Sequence, residues 1–570
     1  MEFNAATADQ VLAIRVNAGI EELARHDRFA AATPDMVEAI VAGIGQFAAG
    51  EWAPLNRKGD KEGAVLANGT VSLPDGFAAA YQAYVEQGWN AIAGPVEHGG
   101  QGLPFTLAAN VLENLGSANM AFSLLPMLTV GAIESLHHHG TPAQQALYLP
   151  KLVSGEWSGT MNLTEPQAGS DVGALRTTAT PRGDGTWSIK GTKIYITWGE
   201  HDLSGNVIHL VLARTPGAPA GTRGISLFLV PKYLVNPDGS LGARNDLRCA
   251  GLEHKLGIMA SPTCVMSFGD NDACIGELVG HENEGIKAMF TMMNSARINV
   301  GNQGVQIAER ALQQARRYAR ERIQSARAGA ASREPVAIVE HPDVRRMLLR
   351  MRALTEGARA LLYYTAGMVD RGALGMEGAQ ARADRLVPMI KAWGTDIGCE
   401  VASLGVQIHG GMGFVEETGA AQHYRDARIA PIYEGTNGIQ AADLVTRKLG
   451  YEGGEVLTAL FADIIADCSA APTLQALAQD CLDVARWMAT DASIDDKLAG
   501  SVPFCTMASV AVAGWQLLRQ ARDGAGGEQK AVVARYFNEH LAAETRGQKT
   551  LAMAGAELLY ALNAEVLAGA

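Results

Sequence analysis

The chain is short of positive charge, of aromatic residues and of any ordered spacing of cysteines, and each shortage closes off a class of protein. Lys and Arg number 47 against 60 Asp and Glu, a formal net charge of −13. Binding a phosphate backbone needs a basic face, so affinity for nucleic acid or an anionic membrane surface is not expected. The seven cysteines (Cys249, Cys264, Cys274, Cys399, Cys468, Cys481, Cys505) are odd in number, scattered and never spaced CxxC. They read as reduced thiols in a reducing compartment, neither a disulfide framework nor a zinc site. The N-terminus MEFNAATADQVLAIRVNAGIEEL has no basic segment followed by an apolar run, so a secretory signal is not expected. No window reads as the roughly 18 uncharged apolar residues of a membrane span, and no internal repeat or low-complexity tract stands out. The expectation is a cytoplasmic protein without an integral membrane segment.

What is present is an ordinary globular composition, 48% hydrophobic and 19% charged, over 570 residues, enough for several domains. Abundant Ala and Gly with only 6% aromatics suit close-packed helices better than a β-sandwich. Residues 1–160 carry helical spacing. One segment starts at Asp35 after Thr33-Pro34, a cap with proline in the first turn, and another spans Phe77 to Val85. A glycine-rich loop from Pro95 to Pro104 separates helices. The run His137, His138, His139 invites a metal reading, but adjacent helix positions point in different directions. A polar helix end before Gly140 is the better account, and no metal is expected.

From 161 to 284 the texture becomes short β-type runs broken by Gly, Pro and Asp, the pattern of a β domain inserted in a helical protein. From 285 to 449 the helical period returns in long amphipathic stretches such as Ala308–Tyr318 and Val344–Met351, which predicts a helical bundle. Residues 450–570 stay helical, with more acids than bases, and form an additional helical domain.

One stretch concentrates candidate chemistry: QIHGGMGFVEETGAAQHYRDARIAPIYEGTNGIQ, from Gln407 to Gln440. It holds a glycine-rich turn, a charged helix and a lone carboxylate, Glu434, with Ile432 and Tyr433 on one side and Gly435, Thr436, Asn437 and Gly438 on the other. Burial against apolar groups raises a carboxylate's pKa toward that of a useful base, and a neighbouring glycine lets a ligand approach closely. Taken alone, Tyr-Glu-Gly-Thr is also an ordinary turn. Two further stretches are denser in hydroxyls and glycine than a strand requires, MNLTEPQAGSD from Met161 and KIYITWG from Lys193.

With these three stretches in this order, the chain resembles the acyl-CoA dehydrogenase family of flavoproteins over residues 30 to 450. The resemblance implies a mainly α fold with an inserted β domain: an N-terminal helical domain, a middle β domain and a C-terminal four-helix bundle, here with the extra helical domain. It implies FAD bound between the β domain and the bundle, usually across a subunit interface. By the same resemblance Leu163 and Thr164 contact the flavin ring, and Ser170 meets flavin or the acyl-CoA pantetheine arm. Tyr195 covers one flavin face, and the Thr197 hydroxyl is aimed at N5. Positioned donors suit a reduced flavin, which gains negative charge.

Arg297, in MMNSARI, matches an arginine near the substrate, and Arg322, in RERIQS, one that pairs with the FAD pyrophosphate, a task suited to a guanidinium fork. Where the family often places a phenylalanine soon after Arg322, this sequence has Gln324 and Ser325. Gln407, Gly410 and Gly411 match the turn at the pyrophosphate and adenosine, and Gly435, Thr436 and Gly438 the turn after the base. Gly438 lacks the side chain some members use there. The implied reaction is α,β-dehydrogenation of an acyl-CoA thioester, with Glu434 taking the α-proton, hydride passing to flavin N5, and the Glu434 backbone N–H polarising the thioester carbonyl.

The extension and runs such as APLNRKGD and HKLGIMASPTCVMSFGD look most like the bacterial 3-methylmercaptopropionyl-CoA dehydrogenases of dimethylsulfoniopropionate breakdown. That implies 3-methylmercaptopropionyl-CoA or another short- or medium-chain acyl-CoA as substrate, electron-transfer flavoprotein as acceptor and a homodimer. The alternatives are an acyl-CoA oxidase passing electrons to oxygen; a nitroalkane oxidase-like enzyme, expected to carry aspartate where this chain has Glu434; and a non-enzymatic or DNA-binding relative, against which the acidic extension and intact Glu434 both speak.

Overall fold

Local rules place the helix starts. In a computed structural model of the chain, which describes residues 3–450 and 454–569, the Met36 N–H donates to Thr33 Oγ1 at 3.3 Å and the helix Pro34–Phe47 begins there. At Thr141 a full capping box forms: Gln144 N–H donates to Thr141 Oγ1 (3.2 Å), Thr141 N–H to Gln144 Oε1 (3.0 Å), and Pro142 fills the first turn of Pro142–Ser154. The fold is mainly helical with an inserted sheet, as the sequence patterning implies.

By compactness the chain divides into two units, cutting it differently from the four segments expected. One holds Ala42–Ala296 with residues 3–5; the other joins Ala6–Val41 to Arg297–Ala570. In the first, helices Phe77–Glu86, Phe105–Ala118, Met120–His139 and Pro142–Ser154 surround an aromatic cluster. Trp52 stacks on Phe122 at 3.9 Å, and Phe122 also meets Phe77 at 4.7 Å and Trp198 at 6.1 Å. Trp198 closes the strand Trp187–Thr197, so the cluster ties helices to sheet within this unit.

The sheet has eight strands. Trp187–Thr197 pairs antiparallel with Thr263–Phe268, Ile275–Val279 and Thr178–Pro181; only Ser158–Asn162 runs parallel to its neighbour, Val207–Ala213. Opposite Thr263–Phe268 the register slips, Cys264 facing Ile196 and Met266 facing Lys193, so Ile194 and Tyr195 together oppose Val265. This is a β-bulge, and it aims a side chain out of the ladder. Tyr195 sits there with φ +59° and 59% exposed.

In the second unit, Gly285–Glu321 (from Arg297 onward), Pro342–Ala373 and Ala379–His409 form the bundle core. Gly301 and Gly304 face Ile390, Gly394 and Gly398 so closely that a Cβ on Gly304 would lie 1.8 Å from the Gly394 carbonyl oxygen. Only bare backbone permits this crossing. The extension packs against the bundle helices of its own unit. Arg350 pairs with Glu544 at 2.7 Å, and Phe537 packs against Gly357 and Trp393. The N-terminal segment joins the same packing: Lys530 pairs with Asp9 (2.9 Å) and Glu356 (2.5 Å), and Arg371 donates to the Ala18 carbonyl at 2.8 Å. Sequence order does not show which partner buries a helix face, so these compact units gather several of the expected segments. The expected junction at 449/450 adjoins 451–453, which lie outside the described residues.

One expectation needs correction. Helices Met120–His139 and Ser501–Asp523 are long and apolar enough, by length and composition, to cross a membrane. Both lie mostly buried inside their own units, as core helices of a folded chain do. All seven cysteines are free.

Candidate active site

Glu434 lies on a turn rather than a helix, and its backbone is left-handed (φ +55°), followed by Gly435 at φ +82°. A non-glycine residue in that region carries strain that must be held by its surroundings. The hold is visible. Asn437 N–H donates to the Pro431 carbonyl (3.0 Å), Ile439 N–H to the Thr436 carbonyl (2.8 Å), and the Thr436 hydroxyl to the Pro431 carbonyl (3.2 Å). A Cβ on Gly435 would press on the Gln440 amide, Nε2 at 2.5 Å, and reach Arg297 Nη2 at 3.7 Å, but it is the left-handed backbone that calls for glycine here.

The glycine crossing sets the electrostatics. Arg297 sits one turn before Gly301 and Lys391 one turn before Gly394, so both buried cations are delivered toward Glu434 from facing helices. Burial pushes the Glu434 carboxyl up to about 7, against the pull of Arg297 and Lys391. Glu434 is half-buried by surface area, but the packed protein around it is what removes solvent from the charge. Neither cation hydrogen-bonds the carboxylate. Lys391 Nζ donates to Asn437 Oδ1 at 2.9 Å, and burial lowers Lys391 to about 8. Asn437 also bonds Thr395, the Ala392 carbonyl and Asp396, which pins the turn to the helix Ala379–His409. Next door, the Tyr433 hydroxyl donates to Gln303 Oε1, and burial pushes its pKa up.

A raised carboxyl alone does not mark a base. Glu134, in the other unit, is also pushed up to about 7 by burial, yet it accepts a hydrogen bond from the Ser295 hydroxyl. Glu434 differs in keeping both oxygens free of hydrogen bonds among the described residues while two cations steady its ionised form. Lys391, Asn437, Gln303 and Tyr433 were missed as site residues. The signal for Lys391 was a single lysine in the otherwise apolar run LVPMIKAW.

At the opposite end of the bundle, Tyr318 stacks on His409 at 4.4 Å. That contact brings together two helix ends, with Arg322 following one and Gly410 and Gly411 the other. Arg322 is exposed, as are Gln407, Gly410 and Gly411, and nothing lies within 4 Å of where a Cβ on either glycine would project. Gly410 has φ +59°. Ser325 takes φ +58° to turn the chain back, and Ile323, 60% exposed, supplies apolar surface beside Arg322 in place of the expected phenylalanine. Gly438 has open space around it.

In the sheet unit, the Leu163 carbonyl accepts from Lys193 Nζ at 3.0 Å, and Ile194 N–H donates to the Thr164 carbonyl at 2.9 Å, so the bulge carrying Tyr195 is bonded to the Leu163–Thr164 segment. Lys193 and Glu165 form a buried pair at 2.8 Å that holds this segment. The side-chain hydroxyls of half-buried Thr164 and Thr197, and of exposed Ser170, make no hydrogen bond among the described residues. In this unit the available hydroxyls and the bared aromatic face suit a flavin ring, and in the other unit, taken by itself, the exposed guanidinium and open glycine turn suit a pyrophosphate.

The chain matches family models over most of its length: "Acyl-CoA dehydrogenase, N-terminal domain" over 34–156, the middle domain over 160–271, the C-terminal domain over 283–449, and "Acetyl-CoA dehydrogenase C-terminal like" over 460–563. It is 52% identical over 503 residues to 3-methylmercaptopropionyl-CoA dehydrogenase of Ruegeria pomeroyi, covering 85% of this chain and 84% of the relative. It is 34% identical to the broad-specificity linear acyl-CoA dehydrogenase FadE5 of Mycobacterium tuberculosis, covering 90% and 89%. An acyl-CoA dehydrogenase of Bacillus anthracis solved with FAD shares the fold, with a TM-score of 0.75 at 22% identity over 94% of this chain and 90% of that one.

Proposed function

The chain belongs to the acyl-CoA dehydrogenase family, and from that premise we propose that Glu434 is the base of an FAD-dependent α,β-dehydrogenation of 3-methylmercaptopropionyl-CoA. The chain is an FAD-dependent acyl-CoA dehydrogenase. FAD, when bound, supplies the hydride acceptor. The observation that carries the assignment of Glu434 is its free carboxylate, raised to about 7 on a strained turn between Arg297 and Lys391. Near neutral pH such a group is partly ionised, and it gains strength as a base from burial. Its proton acceptor is the carboxylate oxygen, and the Glu434 backbone N–H steadies the thioester oxygen as negative charge builds there.

Thr164, Thr197 and Tyr195 would hold the flavin ring with Leu163, and Ser170 would steady flavin or pantetheine. Arg322, Gln407, Gly410 and Gly411 would receive the pyrophosphate and adenosine. Arg297 is about 36 Å from the end of its own helix, at 1.5 Å per residue. So wide a separation between the base end and the phosphate end of the bundle favours one cofactor shared by two copies of the chain. This span supports a homodimer, as does the extension packed over the bundle helices. Electron-transfer flavoprotein is the proposed acceptor and the cytoplasm the proposed location, in the degradation of dimethylsulfoniopropionate.

The substrate reading draws support from the Ruegeria relative, whose name specifies that thioester. Anaerobic flavin bleaching by a panel from propionyl-CoA to palmitoyl-CoA, including 3-methylmercaptopropionyl-CoA, tests it. Fastest bleaching by the thioether substrate is expected; a clear preference for a long chain would discard it. Peroxide formed without an added acceptor would identify an oxidase instead.

A further inference from the structure

Three side chains outside the reaction converge where the glycine-rich loop meets the end of the helix Met120–His139. Glu97, His98 and His137 each place one donor atom so that all three lie within 4.8 Å of one another. The histidine run does not converge on itself. His139 Nε2 pairs with Thr291 Oγ1 at 2.8 Å, and His137 and His138 rings lie 5.2 Å apart and tilted by 61°. His137 instead turns toward residues far upstream, which no spacing rule would pair with it.

Three observations favour a cation there. First, His137 Nδ1 is buried, with no hydrogen-bond partner among the described residues, and Glu97 Oε1 is 3.8 Å away, too far for a bond. A buried, unsatisfied ring nitrogen is costly unless something binds it. Second, His137 stands in the last turn of a helix, where the macrodipole presents partial negative charge to a cation. Third, both platforms are fixed. Gln145 Nε2 donates to the His137 carbonyl at 2.8 Å, while in the loop Gly100 N–H donates to the Pro95 carbonyl (2.9 Å) and Gly102 N–H to the Gly94 carbonyl (3.0 Å). The His98 and His137 rings meet edge to face, 80° apart, so they present edges instead of stacking.

We propose that Glu97, His98 and His137 bind one borderline divalent transition-metal ion, Zn²⁺ in type, clamping the glycine-rich loop to the helix end. Two imidazoles and one carboxylate select against Mg²⁺ and Ca²⁺, which want all-oxygen shells. Zn–ligand distances of about 2.0–2.2 Å require the three donors to draw in by about an ångström. Partly exposed side chains on fixed backbones can do so, leaving a fourth position for water. The site serves structure and does not depend on the acyl-CoA chemistry.

The test uses the FAD-loaded full-length protein, stripped with chelator, desalted and titrated with ZnCl2 by calorimetry. Wild type is expected to bind one more Zn²⁺ than His137→Ala, with the same loss in His98→Ala and a weakening in Glu97→Gln. Affinity at this site should fall by at least about tenfold, since even outer-shell partners are worth 10–100-fold. His138→Ala should match wild type, and Zn²⁺ should raise the melting temperature of wild type but not of His98→Ala. Identical stoichiometry and affinity in wild type and the His98→Ala/His137→Ala double variant, no Zn²⁺ bound by wild type, or an equal loss in His138→Ala would each overturn the proposal. His98 is half-buried at the end of the short turn Val96–His98, away from the helical core, so that variant decides the matter if His137→Ala fails to fold.

Discussion

Glu165 and Glu434 stand on turns in different units, each near a buried lysine, and their environments drive them in opposite directions. Around Glu165 every lone pair finds a donor. Lys193 Nζ (2.8 Å), the Thr177 hydroxyl (2.6 Å) and Thr177 N–H (3.0 Å) meet one oxygen, and Arg176 N–H (2.7 Å) and Gln167 Nε2 (2.7 Å) the other. Burial alone would raise its pKa, but these partners hold the carboxyl down at about 2. Around Glu434 the cations stay out of contact, because Lys391 is engaged by Asn437, and burial prevails. Direct hydrogen bonding turns a buried carboxylate into a strut. Charge at a distance leaves it able to take a proton.

Exchanging each carboxyl for an amide should separate the two roles. Glu434→Gln should lose turnover by about 10²–10⁴-fold, the range for a positioned general base, while keeping bound FAD and losing bleaching by acyl-CoA. A fully active variant would sink the assignment. Glu165→Gln should instead lose stability by about 3–5 kcal/mol, because Lys193 is left buried without a counter-charge. Adding Lys193→Met should recover part of it, and denaturant melts of the single and double variants would show whether it does.

The pH responses should separate as well. Because the base must be ionised, kcat/KM should rise with pH through about 7. Replacing Lys391 by Met removes a cation that favours the ionised form, so this limb should move to higher pH by about one pH unit; a limb that stays put would remove Lys391 from the site. For stability the signs oppose. The folded pKa of Glu434 lies above its unfolded value, so the folded state binds extra protons between the ordinary glutamate range and about 7, and Glu434 weakens the fold as pH rises through that window. Glu165 has a lowered folded pKa. Its contribution is full above the ordinary range and is lost only as pH falls toward about 2. As the smallest effect, Glu434→Gln should therefore be more stable than wild type at pH 8, an advantage that fades by pH 5.

Much of this was legible without coordinates. Thr33-Pro34 and Phe77–Val85 announced their helices, glycine- and proline-broken runs announced the sheet, and the motif around Glu434 singled out the base candidate. What escaped reading depends on contacts distant in sequence. The Tyr195 bulge exists because Thr263–Phe268 pairs out of register, and Lys391 matters because Gly394 meets Gly304. The N-terminal segment gave no sign that it packs with the extension, and the long apolar helices Met120–His139 and Ser501–Asp523 were passed over because their burial is a property of their neighbours.

The sequence by itself determined the order of helices and strands, the family likeness and the identity of the candidate base, since these follow from periodicity, caps and short motifs. The tertiary structure decided what each ionisable group does. Whether a carboxylate becomes strut or base, or a histidine meets a distant glutamate, depends on desolvation and on which partners arrive within hydrogen-bond distance, and only packing sets both.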